Sequence, residues 1–382
     1  MNFELTEKQK LVRRKVRSFA EEILAPVAPV VDKELRFSWE TAEELSKIDA
    51  WGIQMPQKYG GACLDSISYA ITIEEISRVC PSTGLNVSVH NSVGAYPLHC
   101  WGTEHQKQKY LYDLASGRKI AAFTWTEPNA GSDAGGIESI ARENGDHYVL
   151  NGSKIFVTNG GVASVFLIGA RYENKSGEKG IAVFIVEKDF EGFEVGNVED
   201  KLGMRGSSTT SLYFHNVKIP KENILGNLSD GFKIAMKTLD VGRIGIAAQS
   251  VGVAQAAYEL SVKYSRGRIQ FNRPIAQFQG VSFKLAEMAT KIDAARLLVY
   301  RAANLRDKNN PFSKESAMCK YYASEIAKDI TQEAIQIHGG YGFMKDLAVE
   351  RFYRDAPVLS IYEGTNEIMK TIIARQILRG NL

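Results

Sequence analysis

The sequence contains few cysteines, and none is arranged for a disulfide framework or a metal site. The four are Cys63, Cys80, Cys100 and Cys319, with no CxxC pair and no two histidines near them at metal-ligand spacing. In a chain of 382 residues, scattered cysteines usually behave as small buried hydrophobic residues. We therefore expect neither a bound metal nor a structural disulfide.

The chain also lacks an excess of either charge and any long hydrophobic run. Its formal net charge is +3, so the strongly basic face of a nucleic-acid or membrane-surface protein is not expected. No stretch approaches the roughly 18 uninterrupted apolar residues of a transmembrane helix, and residues 1–7 do not resemble a secretory signal. The expected location is the cytoplasm, with an organellar matrix as the alternative for a processed protein.

Several motifs that mark common enzyme classes are absent as well. The sequence has no Walker loop, no HExxH, no nucleophile elbow and no GxGxxG between a strand and a helix. These absences argue against a P-loop nucleotidase, a zinc peptidase, an α/β-hydrolase and a nicotinamide-binding Rossmann unit.

What is present is a chain of three segments, of which the first, residues 1–118, is helical. Thr6 and Gln9 have the spacing of a capping box for a helix that runs towards Leu24. Prolines are expected to divide this segment into short helices; they are Pro26, Pro29, Pro56, Pro81 and Pro97.

The middle segment, residues 119–225, has the pattern of β-structure. Short runs rich in β-branched and aromatic residues recur at 121–125, 165–168, 181–186 and 212–214. Between the runs 148–150 and 155–157 stands Asn151-Gly152, a dipeptide that predicts a tight hairpin. Turn residues recur between the runs, which indicates a small barrel or sandwich.

The last segment, residues 226–382, predicts long helices. Apolar residues at steps of three and four form one stripe: Leu285, Met288, Ile292, Ala295 and Val299. Pro274, Pro311 and the pair Gly339-Gly340 separate the helices, whose short connections favour an antiparallel bundle of four. The predicted fold class is therefore α+β, with an N-terminal helical domain, a middle β-domain and a C-terminal four-helix bundle.

Two short stretches carry candidate chemistry. Thr126–Asp133 follows a β-run with small and polar residues, which suits backbone contacts to a flat polar ring or a phosphate, and equally an ordinary surface turn. Glu363 lies in a break between an arm that ends near Leu359 and the last helix. Burial there would raise its pKa as a general base requires, whereas a solvated loop acid is the commoner role for glutamate. From the residues alone, both pairs of alternatives stay open.

The histidines and aromatic residues near these stretches are weaker candidates. His90 and His338 are expected to be hydrogen-bonded structural residues, because their spacing provides no carboxylate partner. Trp125, Phe156 and Tyr362 could form the walls of a flat cofactor site, although aromatic residues in strands usually belong to the core.

Taken in order, these stretches resemble the acyl-CoA dehydrogenase family. Phe123–Asp133 resembles the TEPxxGSD signature of that family, and Lys154–Gly160 its next flavin-contacting strand. Four further motifs follow in the family's order: Asp240–Arg243, Arg268–Phe271 with Gln279, Gln336–Gly342, and Tyr362–Glu367. The likeness covers essentially the whole chain and is strongest to the short-chain, butyryl-CoA type.

The resemblance implies FAD as cofactor and a homotetramer built as a dimer of dimers. The implied reaction is the α,β-dehydrogenation of a short-chain or compact acyl-CoA to the 2-enoyl-CoA, as in β-oxidation of fatty acids, with electrons passed to electron-transfer flavoprotein. Glu363 takes the position of the family's base, which removes the α-proton while a β-hydride goes to the flavin. In relatives, a flavin ribityl hydroxyl and the backbone N–H of this glutamate hold the thioester carbonyl.

The resemblance also assigns binding residues. Around the isoalloxazine it places Phe123, Thr124, Trp125, Thr126, Gly131, Ser132, Phe156, Val157 and Thr158. To the FAD nucleotide of a neighbouring subunit it assigns Arg268, Phe271, Gln279, Gln336, Ile337, His338, Gly339 and Gly340, and it completes the cofactor set with Thr365, Asn366 and Glu367. The implied substrate contacts are Ser132, Asp240, Val241, Gly242, Arg243, Tyr362 and Gly364.

Two positions separate this chain from relatives with other substrates. Relatives of the isovaleryl type carry their base just before the arginine that matches Arg243, and this chain has Gly242 there. Glutaryl-CoA dehydrogenases have a substrate-binding arginine in the stretch that matches Leu85–Ser92, which contains none here. The first difference leaves Glu363 without a rival as the base, and the second disfavours decarboxylating glutaryl chemistry.

Two aromatic residues depart from the family pattern and keep alternatives open. Trp125 is larger than the usual aliphatic residue, and Phe156 stands where some relatives have tryptophan. A cyclic substrate such as cyclohexane or cyclohexene carboxyl-CoA is therefore one alternative. An acyl-CoA oxidase, which shares fold and base but usually has an additional C-terminal helical domain, is another, and so is reduction of an enoyl-CoA.

Overall fold

The computed structural model describes residues 4–380, and its first part is a set of helices. The predicted capping box is present, because the Thr6 side chain accepts from the Gln9 N–H and the Gln9 side chain accepts from the Thr6 N–H. The helices are α1 (Glu7–Phe19), α2 (Ala25–Glu34), α3 (Trp39–Lys47), α4 (Ser66–Ser77), α5 (Pro81–Val89), α6 (Tyr96–Trp101) and α7 (Glu104–Ala115).

Prolines interrupt these helices less than the sequence predicted. Between α1 and α2 the chain continues through a π-helical turn, Ala20–Leu24, and Pro29 lies inside α2. A second π-helical turn, His90–Ala95, joins α5 to α6. Each of these wide turns stands just before a proline, Pro26 and Pro97, which cannot donate the α-helical hydrogen bond.

The middle part is one curled sheet of seven strands. They are β1 (Ala121–Thr124), β2 (Ile140–Asn144), β3 (His147–Thr158), β4 (Val165–Glu173), β5 (Lys179–Glu187), β6 (Phe193–Val198) and β7 (Thr209–Pro220). The order is β1-β4-β2-β3-β7-β6, and β5 pairs with β4. Phe193 of β6 packs on Phe166 of β4 with ring centroids 4.8 Å apart, although other strands separate them in this order. The sheet therefore closes around its own aromatic core.

The hairpin predicted at Asn151-Gly152 is wrong. Both residues lie inside the continuous strand β3, and the chain turns earlier, at Gly145 with φ +67°. Asn151-Gly152 lies instead at a β-bulge opposite β7, where Gly152 has φ +139° and an added Cβ would lie 2.4 Å from Oγ of Ser139. The same dipeptide suits a hairpin turn or a bulge, so its local chemistry does not distinguish them.

The last part is helical again. It contains α8 (Gly231–Gly267), a ribbon of β8 (Ile269–Gln270) and β9 (Arg273–Pro274), α9 (Gln279–Asp307), α10 (Ser313–His338), α11 (Val349–Asp355) and α12 (Asn366–Leu378). Helices α8, α9 and α10 pack on one another, and α12 packs on α10, as expected for the bundle. The stripe predicted on α9 is buried at Met288, Ile292, Ala295 and Val299.

One hydrophobic core joins the first and last helical parts. It includes Trp51 and Ile73 from the N-terminal helices and Ile244, Ile292 and Ile330 from the C-terminal ones. The sheet thus sits against a common helical body, while the domain limits 1–118, 119–225 and 226–382 stay a prediction.

The cysteines behave as predicted only in part. Cys80 and Cys319 are buried and Cys63 and Cys100 are exposed, and none of the four forms a disulfide. Within the described range, 4–380, no cluster of His, Cys, Asp or Glu has the arrangement of a metal site. No helix in that range is long and apolar enough to cross a membrane.

Candidate active site

Glu363 lies in a strained turn between a short 3₁₀ helix, Pro357–Ser360, and α12. Its φ is +54°, and the next residue, Gly364, has φ +95°. A positive φ is uncommon for a residue with a side chain, and it persists only where the surroundings hold it. Such strain concentrates at functional sites, so the contacts of this turn are informative.

Two buried cations hold the turn from two helices. Arg243 of α8 donates from Nε to the carbonyl oxygen of Glu363 (3.3 Å). Lys320 of α10 donates from Nζ to the carbonyl oxygen of Gly364 (2.8 Å) and to Oδ1 of Asn366 (3.0 Å). Successive carbonyls of the turn are thus fixed by two different elements of the bundle.

The carboxylate of Glu363 is poorly solvated. Its Oε2 is buried and has no hydrogen-bond partner. Burial raises the pKa of Glu363 to about 7, while the charges of Arg243 and Lys320 act in the opposite direction. A carboxylate with a pKa near neutrality suits a general base, because it is both reactive and ionised at working pH.

Gly242 provides the space in which this carboxylate lies. A Cβ at position 242 would lie 2.4 Å from Oε2 of Glu363 and 3.1 Å from Cγ1 of Val93. A side chain at 242 and the carboxylate of Glu363 would therefore compete for one volume. This contact gives a physical reason for the prediction that Gly242 leaves Glu363 without a rival.

The neighbours of Gly242 on α8 face inward. Oδ1 of Asp240 accepts from Nη1 of Arg243 (2.7 Å) and from Oγ of Ser313 (2.8 Å), and Val241 is fully buried. Burial raises the pKa of Asp240, while Arg243 and Ser313 act against it. Their side chains support Arg243 and the core, and the substrate contacts of Asp240 and Val241 stay predictions.

The other predicted residues of the turn also have internal partners. The Tyr362 hydroxyl donates to Oε1 of Gln249 (2.6 Å), and Oγ1 of Thr365 accepts from the N–H of Ile368 to cap α12. Asn366 is buried, and Glu367 is exposed in the first turn of α12. For Glu367, the geometry fits the helix start, because backbone hydrogen bonding lowers its pKa.

In the β-domain, a buried ion pair fixes the loop after β1. Lys154 of β3 is fully buried, and its Nζ donates to Oε1 of Glu127 (2.7 Å) and to the carbonyl oxygen of Trp125 (2.9 Å). Glu127 also accepts from the N–H groups of Glu138 and Ser139. Burial lowers the pKa of Lys154 to about 8, and Glu127 opposes that shift. The candidate loop is therefore anchored at both ends.

An exposed aromatic ring lies beside this loop. Phe156 is 66% exposed and has φ +57°, at a bulge where β3 leaves its register with β7 between Lys154 and Val157. The N–H of Ile155 donates to the carbonyl oxygen of Thr126 (3.0 Å), which places the loop next to Phe156. An exposed aromatic face beside a loop of small and polar residues fits a flat polar ring.

The remaining predicted flavin contacts differ in exposure. Thr124 is buried, and its Oγ1 has no hydrogen-bond partner. Three residues are partly exposed to solvent: Phe123, Thr126 and Thr158. Gly131 and Ser132 are exposed, and Val157 is buried. The exposed and partly exposed ones are accessible to a ligand, and their assignment stays a prediction.

Trp125 is a core residue in this structure. Its indole is 7% exposed, donates to the carbonyl oxygen of Ala134 (2.8 Å) and stacks on Phe123 at 6.1 Å. A Cβ at Gly169 would lie 2.2 Å from the indole, so the glycine makes room for it. The Trp125 ring therefore packs against Phe123 in the core, and its contact with the flavin stays a prediction.

The predicted nucleotide contacts form a separate group at the other end of the bundle. Arg268 ends α8 and lies 25 residues beyond Arg243, which is about 37 Å along an α-helix. A surface depression there is lined by Arg268, Ile337, His338, Gly339 and Gly340, together with Tyr264 and Tyr341. Phe271 is 85% exposed nearby on the β8–β9 ribbon, and Gln279 begins α9. One chain therefore does not bring these residues to Glu363.

The histidines have structural partners, as predicted. Nε2 of His90 lies 3.0 Å from the carbonyl oxygen of Leu114, and the N–H of Ala121 lies 3.1 Å from Nδ1. Burial lowers the pKa of His90 to about 4, so its ring is neutral. His338 lies 2.7 Å from the carbonyl oxygen of Ala334, and its ring stacks on Tyr264.

Lys320, Lys154 and Glu127 are residues of these sites that the sequence did not single out. One signal for Lys320 was present: it continues a helical stripe of small residues, with Ser316 before it and Ala323 after it. A lysine on a buried stripe needs a specific partner. Lys154 and Glu127 each stand inside a motif that carries the family resemblance, but no local signal predicts that they pair.

Family models match almost all of the described chain. The N-terminal, middle and C-terminal domains of acyl-CoA dehydrogenase match residues 6–118, 122–217 and 229–378. The short-chain specific acyl-CoA dehydrogenase of Clostridium acetobutylicum is 48% identical over 99% of this chain and 100% of its own length.

Solved structures of similar proteins agree in fold. Butyryl-CoA dehydrogenase from Megasphaera elsdenii matches with a TM-score of 0.96 at 43% identity, over 99% of this chain and 100% of that one. A chain from work on the electron transferring flavoprotein of Acidaminococcus fermentans and flavin-based electron bifurcation also reaches 0.96, at 45% identity and over 99% and 100% of the two chains. With its fold, its ordered motifs and the buried carboxylate of Glu363, this chain belongs to the acyl-CoA dehydrogenase family of oxidoreductases.

Proposed function

We propose that the protein dehydrogenates a short-chain or compact acyl-CoA to the 2-enoyl-CoA, with FAD as cofactor and Glu363 as the base. One observation carries the proposal: the Glu363 carboxylate, whose pKa burial raises to about 7, lies in the space left by Gly242 on a turn held by two cations. A base fixed in this way is suited to the weakly acidic proton beside a thioester.

The turn offers both groups that this proton transfer needs. Oε2 of Glu363 has no hydrogen-bond partner. It can therefore accept the α-proton without first breaking a hydrogen bond. Within residues 4–380, the backbone N–H of Glu363 also donates to no protein acceptor, which leaves it free for the thioester carbonyl. A donor at that oxygen stabilises the negative charge that develops as the proton leaves.

The residues beside β1 and β3 fit FAD. Phe156 provides an exposed ring face at the bulge between Lys154 and Val157, beside Thr126. FAD, when bound, supplies the acceptor for the hydride from the β-carbon. The pair Lys154–Glu127 holds the loop that would lie against it, and Gly131 and Ser132 are open for further contacts.

The acyl group follows from resemblance rather than from a measured pocket. The relatives with the most similar sequence and fold include short-chain and butyryl-CoA enzymes, which supports butyryl-CoA as the preferred substrate. A cyclic acyl-CoA is the alternative that the experiment below separates.

The proposed assembly is a homotetramer in the cytoplasm that passes electrons to an electron-transfer flavoprotein. The distance between Arg268 and the Glu363 turn supports a site shared between subunits, in which the group at Arg268 holds the nucleotide of a neighbour's FAD. The related chain from the Acidaminococcus work supports a flavoprotein as redox partner.

The test is anaerobic reduction of the bound flavin by a panel of straight, branched, dicarboxylic and cyclic acyl-CoAs. We expect butyryl-CoA to bleach the visible flavin absorbance fastest. Fastest bleaching by a cyclic or dicarboxylic acyl-CoA would replace the proposed substrate, and no bleaching by any of them would refute the function. Peroxide formed in proportion to turnover in air would indicate an oxidase.

A further inference from the structure

We propose that Lys320 is a positioning residue for the base: its ammonium group fixes the strained turn at Gly364 and, together with Arg243, provides the positive charge that keeps Glu363 ionised. The inference rests on the proposed role of Glu363. It concerns a side chain that acts on Glu363 through the backbone of the next residue, Gly364.

Lys320 is in an unusual environment for a lysine. The side chain is fully buried, yet its two hydrogen bonds go to neutral oxygens, the carbonyl of Gly364 and Oδ1 of Asn366. Among residues 4–380, no carboxylate oxygen lies within 4.0 Å of its Nζ. A buried ammonium group is costly unless a negative charge compensates it, so its counter-charge must lie slightly further away.

The counter-charge of Lys320 can be identified among the nearby carboxylates. Three carboxylates act on Lys320, and Glu363 is the strongest, followed by Glu325 of α10 and Glu367 of α12. Glu325 already accepts from Lys328 (2.9 Å) and from Asn366, and Glu367 is exposed to solvent. This leaves Glu363, whose Oε2 is buried and has no hydrogen-bond partner.

A second cation near the turn belongs to α8. Arg243 also acts on Lys320 and on Glu363, but its own charge is balanced by Asp240 at 2.7 Å. Of the two cations that act on Glu363, Lys320 is the one without an ion pair of its own among residues 4–380. Burial lowers the pKa of Lys320 to about 7, and the charge of Glu363 works against that shift.

Lys320 also holds the backbone of the turn in place. Glu363 and Gly364 both have positive φ, and the Lys320 contact with the Gly364 carbonyl (2.8 Å) is shorter than the Arg243 contact with the Glu363 carbonyl (3.3 Å). Lys320 also binds Asn366, whose Nδ2 donates to Oγ of Ser324 (3.0 Å). The start of α12 and the turn before it are therefore fastened to α10 through one ammonium group.

The test compares Lys320→Met with the wild type by anaerobic bleaching with butyryl-CoA across pH. Methionine keeps the length and fits a buried site, but it removes the donors and the charge. We expect kcat to fall by about 10-fold or more while KM changes by less than about 3-fold, because substrate binding is not the step affected. Without the nearby positive charge the pKa of Glu363 rises, so the acid limb of the profile should move up by roughly one pH unit.

The matched control is Lys328→Met on the same helix. Lys328 is half exposed, and its ion pair with Glu325 lies at the surface. We expect flavin content, kcat and the acid limb to match the wild type. An equal upward shift in the control would show that any charge on α10 has this effect, and it would overturn the specific role of Lys320.

The outcomes separate this inference from the proposed function. If the wild type does not bleach, the function of Glu363 fails, and the inference fails with it. If the wild type bleaches and Lys320→Met does so at the same rate with the same pH profile, only the inference fails. A loss of kcat that is equal at every pH would also overturn it, since that result indicates a merely structural lysine.

Lys320→Arg decides the matter if the methionine variant does not fold. Arginine restores a positive charge and donors near the same carbonyl. A folded Lys320→Arg protein should keep the wild-type acid limb and lose less than about 10-fold in kcat. A folded arginine variant with the acid limb shifted upward would overturn the charge role.

Discussion

At the scale of single residues, the account depends on how Glu363 and Gly242 share space. The positive φ of Glu363 aims its carboxylate at α8, and Gly242 is the position on that helix where the carboxylate fits. Neither property is visible in the one-dimensional motif. The motif names the residue, whereas the turn, the glycine and two cations determine its chemistry.

The raised pKa of Glu363 predicts how activity depends on pH. The base must be ionised, and burial places its pKa at about 7, so the ionised fraction falls as pH drops below that value. We expect kcat/KM to rise through an acid limb centred near pH 7 and to level off above it. An acid limb near the ordinary value for a solvated glutamate would show that Glu363 is not buried in the working enzyme.

Gly242→Ala tests the shared space directly. The added methyl group would lie 2.4 Å from Oε2 of Glu363, so we expect it to displace the carboxylate and lower kcat by about 10- to 100-fold. Overpacking should also lower the free energy of unfolding by about 1–3 kcal/mol. The control is Gly280→Ala, because no atom lies within 4 Å of a Cβ at that helical glycine. Unchanged kcat in Gly242→Ala would contradict the packing described for Glu363.

At the scale of elements, the buried pair Lys154–Glu127 joins strand β3 to the loop after β1. Glu127→Gln would leave the Lys154 ammonium buried without its counter-charge. We expect the free energy of unfolding, measured with urea, to fall by about 3–5 kcal/mol, the usual result of breaking a buried pair. The retained flavin should decrease as well, because the loop loses its anchor.

The double variant Glu127→Gln with Lys154→Met is the control for that pair. Removing both charges eliminates the uncompensated ammonium, so stability should recover by at least half of the loss in the single variant. If the double variant is as unstable as Glu127→Gln alone, the pair does not act through charge.

Elements with a strong local pattern could be predicted from the sequence. The capping box at Thr6 and the stripe of α9 depend on residues a few positions apart, and both are present. The bulge at Asn151-Gly152 and the π-helical turns could not, since the local chemistry allows more than one backbone path. The contact of Lys320 with Gly364 joins residues 44 positions apart, and a periodic pattern in the sequence does not predict such a contact.

At the scale of the whole molecule, the distance between two groups of predicted site residues favours an active site shared by subunits. Arg268 stands about 37 Å along α8 from Arg243, and the surface around it is open in one chain. Exposed aromatic residues such as Phe271 (85%) and Phe343 (84%) lie in this part of the chain. A neighbouring subunit that covers them would bring its FAD nucleotide to Arg268.

Arg268→Ala tests this assembly. We expect the variant to lose FAD on dilution more readily than the wild type. The measurement is the amount of free flavin that passes an ultrafiltration membrane after dilution. The control is Arg266→Ala, an exposed arginine in the last turn of the same helix that is not assigned to the site. Equal flavin retention by Arg268→Ala and wild type at every dilution would contradict the shared site.

The most direct measurement of the central claim compares wild type and Glu363→Gln in anaerobic bleaching by butyryl-CoA. Glutamine keeps the shape of the side chain but cannot take the α-proton. The account predicts that the variant retains FAD and binds the acyl-CoA, while its bleaching slows by about 10²- to 10⁴-fold, the usual contribution of a positioned base. Bleaching of Glu363→Gln at close to the wild-type rate would contradict it.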